Sequence, residues 1–568
     1  MAPEFSVREI PFSRSGAWFG LSPVVGTAEY AEDLHLVSHR NGLHPILSLV
    51  PVDGGHRVAA TITADPATLT WAVGDARVSA VFSAVDTLRI AGTGLAMRIA
   101  ATERTLTPFT GTYFFADPEG RVVFTSYETG HRFRLTLVAG RWQVNGAQEL
   151  GTADRAVVAG GDGGPWEVVI EELTTARTAP ESTSDFTTAV TAARADFTGF
   201  ADAVAPWRDD RAPAAELACY VVWSATVAPG GFVTRPAVLM SKHWMDRVWS
   251  WDHCFNALSL ARGLPGLAWD QIQVVFDHQD AQGALPDSIT HSEVLHNFVK
   301  PPIHGWALTR LRDRLPGGLP DAATAYRQLA AWTSFWLDHR RAPGSRLPYY
   351  EHGNDSGWDN STVFREERLV ESADLAAFLV LQLKELATLA EEVGDTSARW
   401  REEADELLAA MLAELWDGTR FVSRGAGTED VRGSASLLEL MPVVLGEHLP
   451  PEVFARLCDG VAAHLTSVGL ATELPASPYY EADGYWRGPV WAPATVLIED
   501  GLRRGGATDL ADRVSARFRA LCEKSGFAEN FDALTGEGLR DRAYTWTASA
   551  YLTLAEDASR RAVQADGR

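Results

Sequence analysis

Residues 372–394 read SADLAAFLVLQLKELATLAEEVG, and this stretch decides the fold of the larger part of the chain. Its apolar side chains recur at helical spacing, at Leu375, Phe378, Leu379, Leu383, Leu386 and Leu389. Ser372 is a typical N-cap and Gly394 a typical helix end, so the pattern predicts one long helix. A second helix is predicted from about residue 396 to Gly418. The short connection places the two helices antiparallel.

The same helical spacing continues over most of the C-terminal part of the chain. About twelve segments between Ala214 and Leu554 have it, and few stretches between them resemble strands. Twelve helices joined alternately by tight and long connections fit six helical hairpins in a closed ring, the (α/α)6 toroid. We therefore predict that residues 209–568 form such a toroid. Its longer loops should gather at one end, where a cleft can form.

The first 180 residues follow a different pattern. In residues 131–138, Phe133, Leu135 and Leu137 alternate with polar side chains, which predicts a half-buried strand. Similar runs, separated by glycine-rich turns, occur at Leu34–His39, Ile46–Val52, Val58–Ile62, Val78–Val85 and Val168–Leu173. Many short strands without intervening helices predict an antiparallel β-sandwich over residues 1–180. Residues 181–208 are predicted to be a linker that ends in a helix, Val190–Val204.

The charge balance indicates which partners are disfavoured, and the cysteine spacing indicates the state of the thiols. The 568 residues contain 50 Lys plus Arg against 74 Asp plus Glu, a net charge of −24, which disfavours nucleic acid and anionic lipid as partners. Residues 1–20 lack the pattern of a secretory leader, and no apolar run is long enough to span a membrane, so we expect a soluble, cytoplasmic protein. The four cysteines, Cys219, Cys254, Cys458 and Cys522, match no metal or disulfide pattern and are predicted to be reduced.

Tryptophan is unusually frequent. Fifteen of the 19 tryptophans fall between Trp207 and Trp546. Rigid indole rings suit a packed core, and they equally suit the flat CH faces of sugar rings. Residues that interrupt the helical pattern cluster in five segments, which are 249–255, 283–306, 354–361, 485–493 and 527–547. Each segment combines tryptophan with glycine, proline or a carboxylate, which predicts that these segments build a binding cleft.

Other kinds of chemistry are poorly supported. His291 and His296 are five residues apart, which does not match the HExxH spacing that aligns two zinc ligands on one helix face. The chain also lacks the GxSxG turn of a serine hydrolase. We therefore expect no metal and no cofactor. Asx turns remain the alternative interpretation of loop aspartates such as Asp355 and Asp359.

Glycoside hydrolysis needs the residue types that these segments contain. One protonated carboxylic acid donates to the leaving oxygen, and one ionised carboxylate acts on the opposite face of the sugar. An indole beside a carboxyl group raises its pKa by desolvation, and Trp358-Asp359 has that form. If the second carboxylate holds a water, the two groups stand roughly 6.5–9.5 Å apart and the product inverts. Asp359 and Glu529 are candidates for this pair across a helical ring.

Four motifs resemble those of glycoside hydrolase family 63 and its relatives. They are Ser356–Ser361 (SGWDNS), Tyr485–Trp491 (YWRGPVW), Lys300–His304 (KPPIH) and Trp251-Asp252. The relatives include mannosylglycerate and glucosylglycerate hydrolases and, more distantly, the trehalases of family 37. The resemblance spans roughly Lys242 to Leu552. It implies an (α/α)6 catalytic domain and an inverting mechanism on α-glycosidic bonds.

The resemblance also implies roles for individual residues. Asp359 matches the general acid, and Glu529 best matches the general base, with Asp532, Glu523 and Glu537 as neighbouring alternatives. The residues implied to bind the substrate are Trp251, Asp252, Lys300, His304, Trp358, Asn360, Trp486, Arg487, Trp491 and Trp546.

The function predicted from the sequence is that of an inverting, exo-acting α-glycosidase. An α-glucosidase acting on a small α-linked oligosaccharide or a terminal glucoside is favoured, because the N-terminal sandwich resembles the larger α-glucosidase-like branch. One alternative is a hydrolase of glucosylglycerate or mannosylglycerate, in which Arg487 or Lys300 pairs with the glycerate carboxylate. Another alternative is a non-catalytic toroid that binds sugar. The sequence indicates neither the sugar nor the oligomeric state.

Overall fold

The computed structural model describes residues 3–24, 30–103, 105–107, 110–127, 129–175 and 185–566. Two antiparallel sheets occupy the N-terminal part, and helices from Ala215 to Asp566 form a closed ring. The protein is a β-sandwich followed by an (α/α)6 toroid, which confirms the predicted fold class. No helix in the described ranges is long and apolar enough to cross a lipid bilayer.

The sandwich consists of two large sheets and a two-stranded ribbon. Its strands are β1 Phe19–Val24, β2 Tyr30–Ser38, β3 His44–Asp53, β4 His56–Arg57, β5 Thr61–Ala64, β6 Leu69–Val73, β7 Ala76–Ala84, β8 Thr87–Thr93, β9 Ala96–Ala101, β10 Thr105–Leu106, β11 Thr112–Ala116, β12 Val122–Ser126, β13 Arg132–Ala139, β14 Trp142–Asn145, β15 Gly151–Thr152, β16 Ala156–Ala159 and β17 Trp166–Leu173. The first sheet has the order β1-β2-β3-β9-β16-β14, with β4 paired to β3. The second has the order β11-β12-β13-β17-β8-β7-β6-β5, and β10 pairs with β15. Phe133 and Leu135 are fully buried in the core of the sandwich, because alternate side chains of a strand face the same side.

One predicted strand is wrong. Residues 58–62 do not form a single strand, because the chain passes here from one sheet to the other. β4 pairs with β3 in the first sheet, and β5 pairs with β6 in the second. The hydrophobic alternation of this stretch therefore covers the crossing between the sheets and the first two residues of the edge strand β5.

The outer face of the second sheet is less exposed than the sequence pattern predicts. Arg134 of β13 is buried, since its guanidinium pairs with Glu171 at 2.8 Å. Ala189 and Ala193 of the first helix pack on Val81 of β7. That helix begins at Phe186 rather than at residue 190, with Asp185 as the N-cap. Residues 176–184, the start of the predicted linker, lie outside the described residues.

The helices follow the sandwich in a regular succession. They are α1 Phe186–Val204, α2 Ala215–Ala225, α3 Asp252–Leu260, α4 Pro265–Phe276, α5 His304–Arg314, α6 Ala322–His339, α7 Ala373–Glu392, α8 Ala398–Leu415, α9 Pro451–His464, α10 Ala492–Arg504, α11 Thr508–Ser525 and α12 Thr545–Asp566. Three 3₁₀-helices occur at Gly353–Ser356, Thr362–Phe364 and Leu437–His448. The helix pair predicted around Gly394 is α7 and α8.

Six of these elements form the inner ring. α3, α5, α7, the 3₁₀-helix Leu437–His448, α10 and α12 each contact the next, and α12 returns to α3. The outer elements α2, α4, α6, α8, α9 and α11 pack against them. Pro442 and the positive φ of Gly446 (52°) explain why the fourth inner element is not an α-helix. The count of about twelve helical segments thus matches eleven α-helices and one 3₁₀-helix in the described part of the toroid.

The loops of the toroid contain further strands of two or three residues. They are β18 Thr226–Val227, β19 Ala237–Val238, β20 Val248–Trp249, β21 Ser288–Ile289, β22 Val294–Leu295, β23 Val370–Glu371, β24 Ser423–Gly425, β25 Val431–Arg432, β26 Asn530–Phe531 and β27 Gly538–Leu539. β20, β21 and β22 form one small sheet, and β26 pairs with β27. These pairings stiffen the long loops that enter the inner helices.

The sandwich is bonded to the loop that precedes α3. The ammonium group of Lys242 is buried and donates hydrogen bonds to the carbonyl oxygen of Ala17 (2.6 Å) and the hydroxyl of Ser13 (3.1 Å). His39 Nδ1 lies 3.4 Å from a carboxylate oxygen of Asp246. The sandwich therefore supports the segment that leads directly into the first inner helix.

Candidate active site

A cavity of about 240 Å³ opens where several inner helices begin. Its walls are formed by Met245, Trp249, Trp251, Asp252, Asp287, Asn297, Phe298, Lys300, Asn354, Gly357, Asp359, Tyr485, Trp486, Trp491, Tyr544 and Trp546. All five segments that interrupt the helical pattern contribute, although they are far apart in the chain. Seven of the predicted site residues lie in this wall, namely Trp251, Asp252, Lys300, Asp359, Trp486, Trp491 and Trp546.

The aromatic part of the wall is built from packed indoles. The rings of Trp486 and Trp491 stack with centroids 4.0 Å apart and an interplanar angle of 6°. Trp546 meets Trp491 edge-on at 5.5 Å and Trp251 edge-on at 5.7 Å. Trp358 lies outside the wall and packs against Trp486 at 4.6 Å. Because these rings support each other, the cavity has rigid apolar faces suited to the CH face of a sugar.

The segment before Asp359 needs glycine at one position. Gly357 has a φ of +73°, and a Cβ there would lie 2.5 Å from the indole of Trp251. The glycine therefore lets the chain turn against the indole and bring Asp359 to the cavity. Burial raises the pKa of the Asp359 carboxyl; the positive charge of Lys300 opposes this and Asp287 reinforces it. The protonated form of Asp359 is thereby favoured, as a general acid requires.

Two further aspartates and one lysine share the cavity. Burial raises the pKa of Asp252 to about 8, against the positive charge of Lys300 and with the added effect of Asp287 and Asp359. Lys300 Nζ lies 3.1 Å from Asp287 Oδ1 and donates to the carbonyl oxygen of Asn354 at 3.0 Å. Oδ2 of Asp252 is buried and has no hydrogen-bond partner within the described structure. A substrate hydroxyl could satisfy it.

Glu529 lies next to the cavity and is 2% exposed. Its carboxyl accepts a hydrogen bond from the hydroxyl of Tyr485, which lines the wall. Burial raises the pKa of Glu529 to about 8; Asp541 reinforces this, whereas Arg540 and the Tyr485 hydrogen bond oppose it. Burial also raises the pKa of Tyr485, with contributions from both Glu529 and Asp359. Tyr485 is therefore close to both predicted catalytic carboxyl groups.

The other carboxylates considered for the role of Glu529 have different surroundings. Asp532 accepts a hydrogen bond from the backbone N–H of Leu534 at 2.7 Å and so holds a turn. Glu537 is exposed to solvent. Glu523 is also exposed and accepts the hydroxyl of Tyr551 at 2.9 Å. Of the four, Glu529 is the one that is buried beside the cavity, with Oε1 left without a hydrogen-bond partner in the described structure.

Four predicted binding residues lie outside the wall. Trp358 supports Trp486 from behind, and His304 is fully buried with Nε2 3.0 Å from the carbonyl oxygen of Ser250. The Asn360 side chain is exposed and bridges the carbonyl oxygen of Gly484 (3.0 Å) and the N–H of Trp486 (2.9 Å). Arg487 pairs with Glu481 at 3.0 Å. These positions are explained by packing and by the bonding between loops.

The sequence-based list also missed several residues of the wall. Asp287, Tyr485 and Tyr544 carry ionisable groups, and Asn297 and Phe298 belong to the loop before Lys300. All five lie in segments that interrupt the helical pattern, but nothing in that pattern distinguished them from their neighbours. As for metal binding, no group of three or more His, Cys, Asp or Glu side chains in the described ranges is arranged to hold an ion.

A change at Tyr485 should alter the pH dependence of activity. The Tyr485 hydroxyl lowers the pKa of Glu529, so Tyr485→Phe should raise that pKa further. If Glu529 must be ionised, kcat/KM of the variant should rise with pH through a limb displaced to higher pH. Measuring kcat/KM from about pH 5 to about pH 9 checks this. A limb at an unchanged or lower pH would contradict the assignment of Glu529 as the base.

The comparison with known proteins agrees with this geometry. The family model of the mannosylglycerate hydrolase MGH1-like glycoside hydrolase domain matches residues 245–547, a range that contains the whole cavity wall. A mannosylglycerate hydrolase of Rubrobacter radiotolerans is 26% identical over 418 residues, which cover 57% of this chain and 92% of the relative.

Two solved structures are similar in fold. A family 63 mannosylglycerate hydrolase of Thermus thermophilus, in complex with glucose, has a TM-score of 0.53 and 21% identity; the match covers 61% of this chain and 100% of that one. A bacterial glucoamylase in complex with acarbose has a TM-score of 0.63 and 12% identity, covering 99% and 96%. The first resembles the helical ring, and the second resembles the sandwich and ring together.

Proposed function

The chain belongs to the MGH1-like glycoside hydrolase family named after mannosylglycerate hydrolase, and from this premise we propose that it hydrolyses a small α-glycoside of an organic acid, of the mannosylglycerate or glucosylglycerate type. The relatives support this alternative better than the α-glucosidase favoured by the sequence, since several of them are mannosylglycerate hydrolases. The similarity to glucoamylase, at 12% identity, extends to the fold alone.

The position of Lys300 in the cavity wall is the observation that supports an acidic aglycone. It is the only cationic side chain among the described residues that line the cavity. Its side chain is 9% exposed and pairs with Asp287 at 3.1 Å, so an incoming carboxylate would be a second anionic partner of the same ammonium group. Arg487, the other predicted cation, lies outside the wall, where it pairs with Glu481. A glycerate group would therefore bind at the Lys300 side of the cavity.

The catalytic steps assign one role to each buried carboxyl group. Asp359 protonates the glycosidic oxygen, because burial raises its pKa and so favours the protonated form. In its ionised form, Glu529 accepts a proton from the attacking water on the opposite face of the sugar, which gives inversion; because burial raises its pKa to about 8, this form increases with pH through that range. Tyr485 orients the Glu529 carboxyl by its hydrogen bond. Asp252, with an oxygen that lacks a partner in the described structure, accepts a sugar hydroxyl.

The aglycone can be tested with pairs of substrates that differ in one charge. We expect kcat/KM for mannosylglycerate or glucosylglycerate to exceed that for the matching glycosylglycerol by about tenfold or more, as a charge-assisted hydrogen bond predicts. Lys300→Met should reduce this ratio to near one, since it removes the cation. The ratio is measured by steady-state kinetics on all four substrates.

Lys524→Met is the matched control, because Lys524 is exposed and donates to the carbonyl oxygen of Thr535 far from the wall. It should keep the wild-type ratio. Equal kcat/KM for the acidic and neutral substrates in the wild type would contradict the proposal. Efficient maltose hydrolysis that Lys300→Met leaves unaffected would instead support the α-glucosidase alternative.

A further inference from the structure

A second cavity, of about 320 Å³, lies at the other end of the ring. The helices α5, α10 and α12 begin at or beside the catalytic cavity, and residues between Trp306 and Arg314, Val496 and Arg504, and Thr553 and Gln564 line this one. α5 alone has eleven residues and is therefore about 16 Å long. Seven arginines and four carboxylates line the cavity, and three further carboxylates, Glu447, Asp512 and Glu556, pair with some of these arginines from outside the wall. We propose that this distal arginine cavity binds a small anion of the phosphate class.

Three of the four carboxylates in the wall, Glu499, Asp500 and Asp557, already pair with arginines. Asp500 accepts a hydrogen bond from Trp306 Nε1 at 2.8 Å and another from Arg504 Nε at 3.0 Å, and it pairs with Arg310 at 3.3 Å. Burial would raise the pKa of Asp500, but Arg310 and Arg504 hold it below its ordinary value. Asp500 is therefore ionised and engaged, and it has little capacity to neutralise further arginines.

Carboxylates outside the wall also pair with arginines of the cavity. Glu556, just behind the wall, pairs with both Arg314 (2.9 Å) and Arg262 (3.1 Å). Asp512 at the edge of the cavity pairs closely with Arg503 (2.7 Å). Arg314 and Arg503 each have a second carboxylate partner, Asp557 and Glu499 respectively, so the charges of these two arginines are compensated.

Arg560 and Arg561 are left with little compensation. Arg560 has no carboxylate within ion-pair distance among the described residues, and the nearest to Arg561 is Asp512 at 3.7 Å. Arginines at a helix C-terminus often offset the helix dipole, but these two lie more than one turn before the end of α12 at Asp566. The dipole of α12 therefore does not account for them.

Crowding of positive charge is also visible in the arginine pKa values. Burial lowers the pKa of Arg262, and the charges of Arg314 and Arg560 lower it further against the effect of Glu556. Burial and Arg503 likewise lower the pKa of Arg561. An anion between these groups would relieve their mutual repulsion.

The donors also have the geometry that an oxyanion requires. A guanidinium presents a planar fork of N–H groups that matches phosphate oxygens in pairs. Arg310 Nε is buried without a hydrogen-bond partner within the described structure. Arg560 and Arg561 supply further forks, and Gln564 adds a neutral donor. Together these groups can surround an anion that carries two or more charges.

The test uses the full chain and isothermal titration calorimetry at constant ionic strength. Inorganic pyrophosphate and glucose 6-phosphate are titrated separately, which distinguishes an inorganic from an organic phosphate. We expect saturable binding of at least one of them. The double variant Arg560→Gln/Arg561→Gln should weaken that binding at least about tenfold, as the loss of charge-assisted contacts predicts. If the double variant fails to fold, the single variant Arg560→Gln is used for the same measurement, because Arg560 is exposed.

Two controls locate the site. Arg401→Gln removes an exposed arginine that pairs with Glu391 on the outside of the ring, and it should leave the affinity unchanged. Lys300→Met should also leave it unchanged, since Lys300 is the cation of the catalytic cavity. The proposal is overturned if neither phosphate binds the wild type, if the distal variants bind with wild-type affinity, or if Lys300→Met abolishes binding.

Discussion

Asp359→Asn should lower kcat for hydrolysis of a glycosylglycerate by about 10³-fold or more, in line with the contribution of a general acid. Asn has the shape of Asp but carries no transferable proton, so the leaving oxygen must depart as an alkoxide. Because Asp359 is half-buried and its burial disfavours the charge, the substitution should not lower the thermal midpoint of unfolding. Steady-state kinetics and a thermal melt measure the two effects.

Substrates with different leaving groups show whether Asp359 acts as a general acid or has only a structural role. An α-glycosyl fluoride needs little protonation to depart, so Asp359→Asn should retain much of its activity on that substrate. Glu366→Gln is the matched control, because Glu366 follows in the same segment and pairs with Arg432 at the surface. It should behave as wild type on both substrates. Equal losses on the fluoride and the glycosylglycerate would remove Asp359 from the role of acid.

Glu529→Gln should cause a loss of about 10³-fold or more on every substrate, including the α-glycosyl fluoride. The water must lose a proton whatever the leaving group, and Gln cannot accept it. Glu537→Gln is the control eight residues away, at an exposed carboxylate, and should keep full activity. Loss of activity in Glu537→Gln with retention in Glu529→Gln would transfer the role of base to Glu537.

The first product formed reports the stereochemistry of the same reaction. If Glu529 activates water on the face opposite to the leaving group, an α-glycoside gives the β-anomer first. Proton NMR of the wild-type reaction within the first minutes detects the anomer before mutarotation. Initial release of the α-anomer would contradict the roles of both carboxyl groups. Sugar binding without any turnover would support the non-catalytic alternative.

Periodicity predicted the extent of helix α7. The helix spans Ala373–Glu392, as the apolar spacing between Ser372 and Gly394 predicted, although it is an inner helix that is buried on nearly all sides. The same reasoning failed at residues 58–62, where the chain changes sheet without changing its alternation. Local pattern specifies which face is apolar, but it does not specify which sheet covers it.

The sequence predicted which segments form the cavity, but not which residues of these segments face it. Trp358 and Trp486 are both motif residues, yet one supports the wall from behind and the other forms it. Arg487 follows Trp486 directly and turns to Glu481 instead of the cavity. Adjacent residues of a loop point in different directions, which depend on φ and ψ angles that only packing determines. Gly357 illustrates this, since its φ is positive and its backbone lies so close to Trp251 that a Cβ would be 2.5 Å from the indole.

The sequence by itself determined the order of sandwich and ring, the helical period, and the five segments that would meet at one end of the ring. Only the tertiary structure decided which side chains face the cavity, how Tyr485 comes close to both Glu529 and Asp359, and how a second cavity gathers seven arginines at the far end. The physical reason is that periodicity is a local property of the chain. Burial, charge crowding and raised pKa values depend on residues that are distant in sequence and meet only when the ring closes.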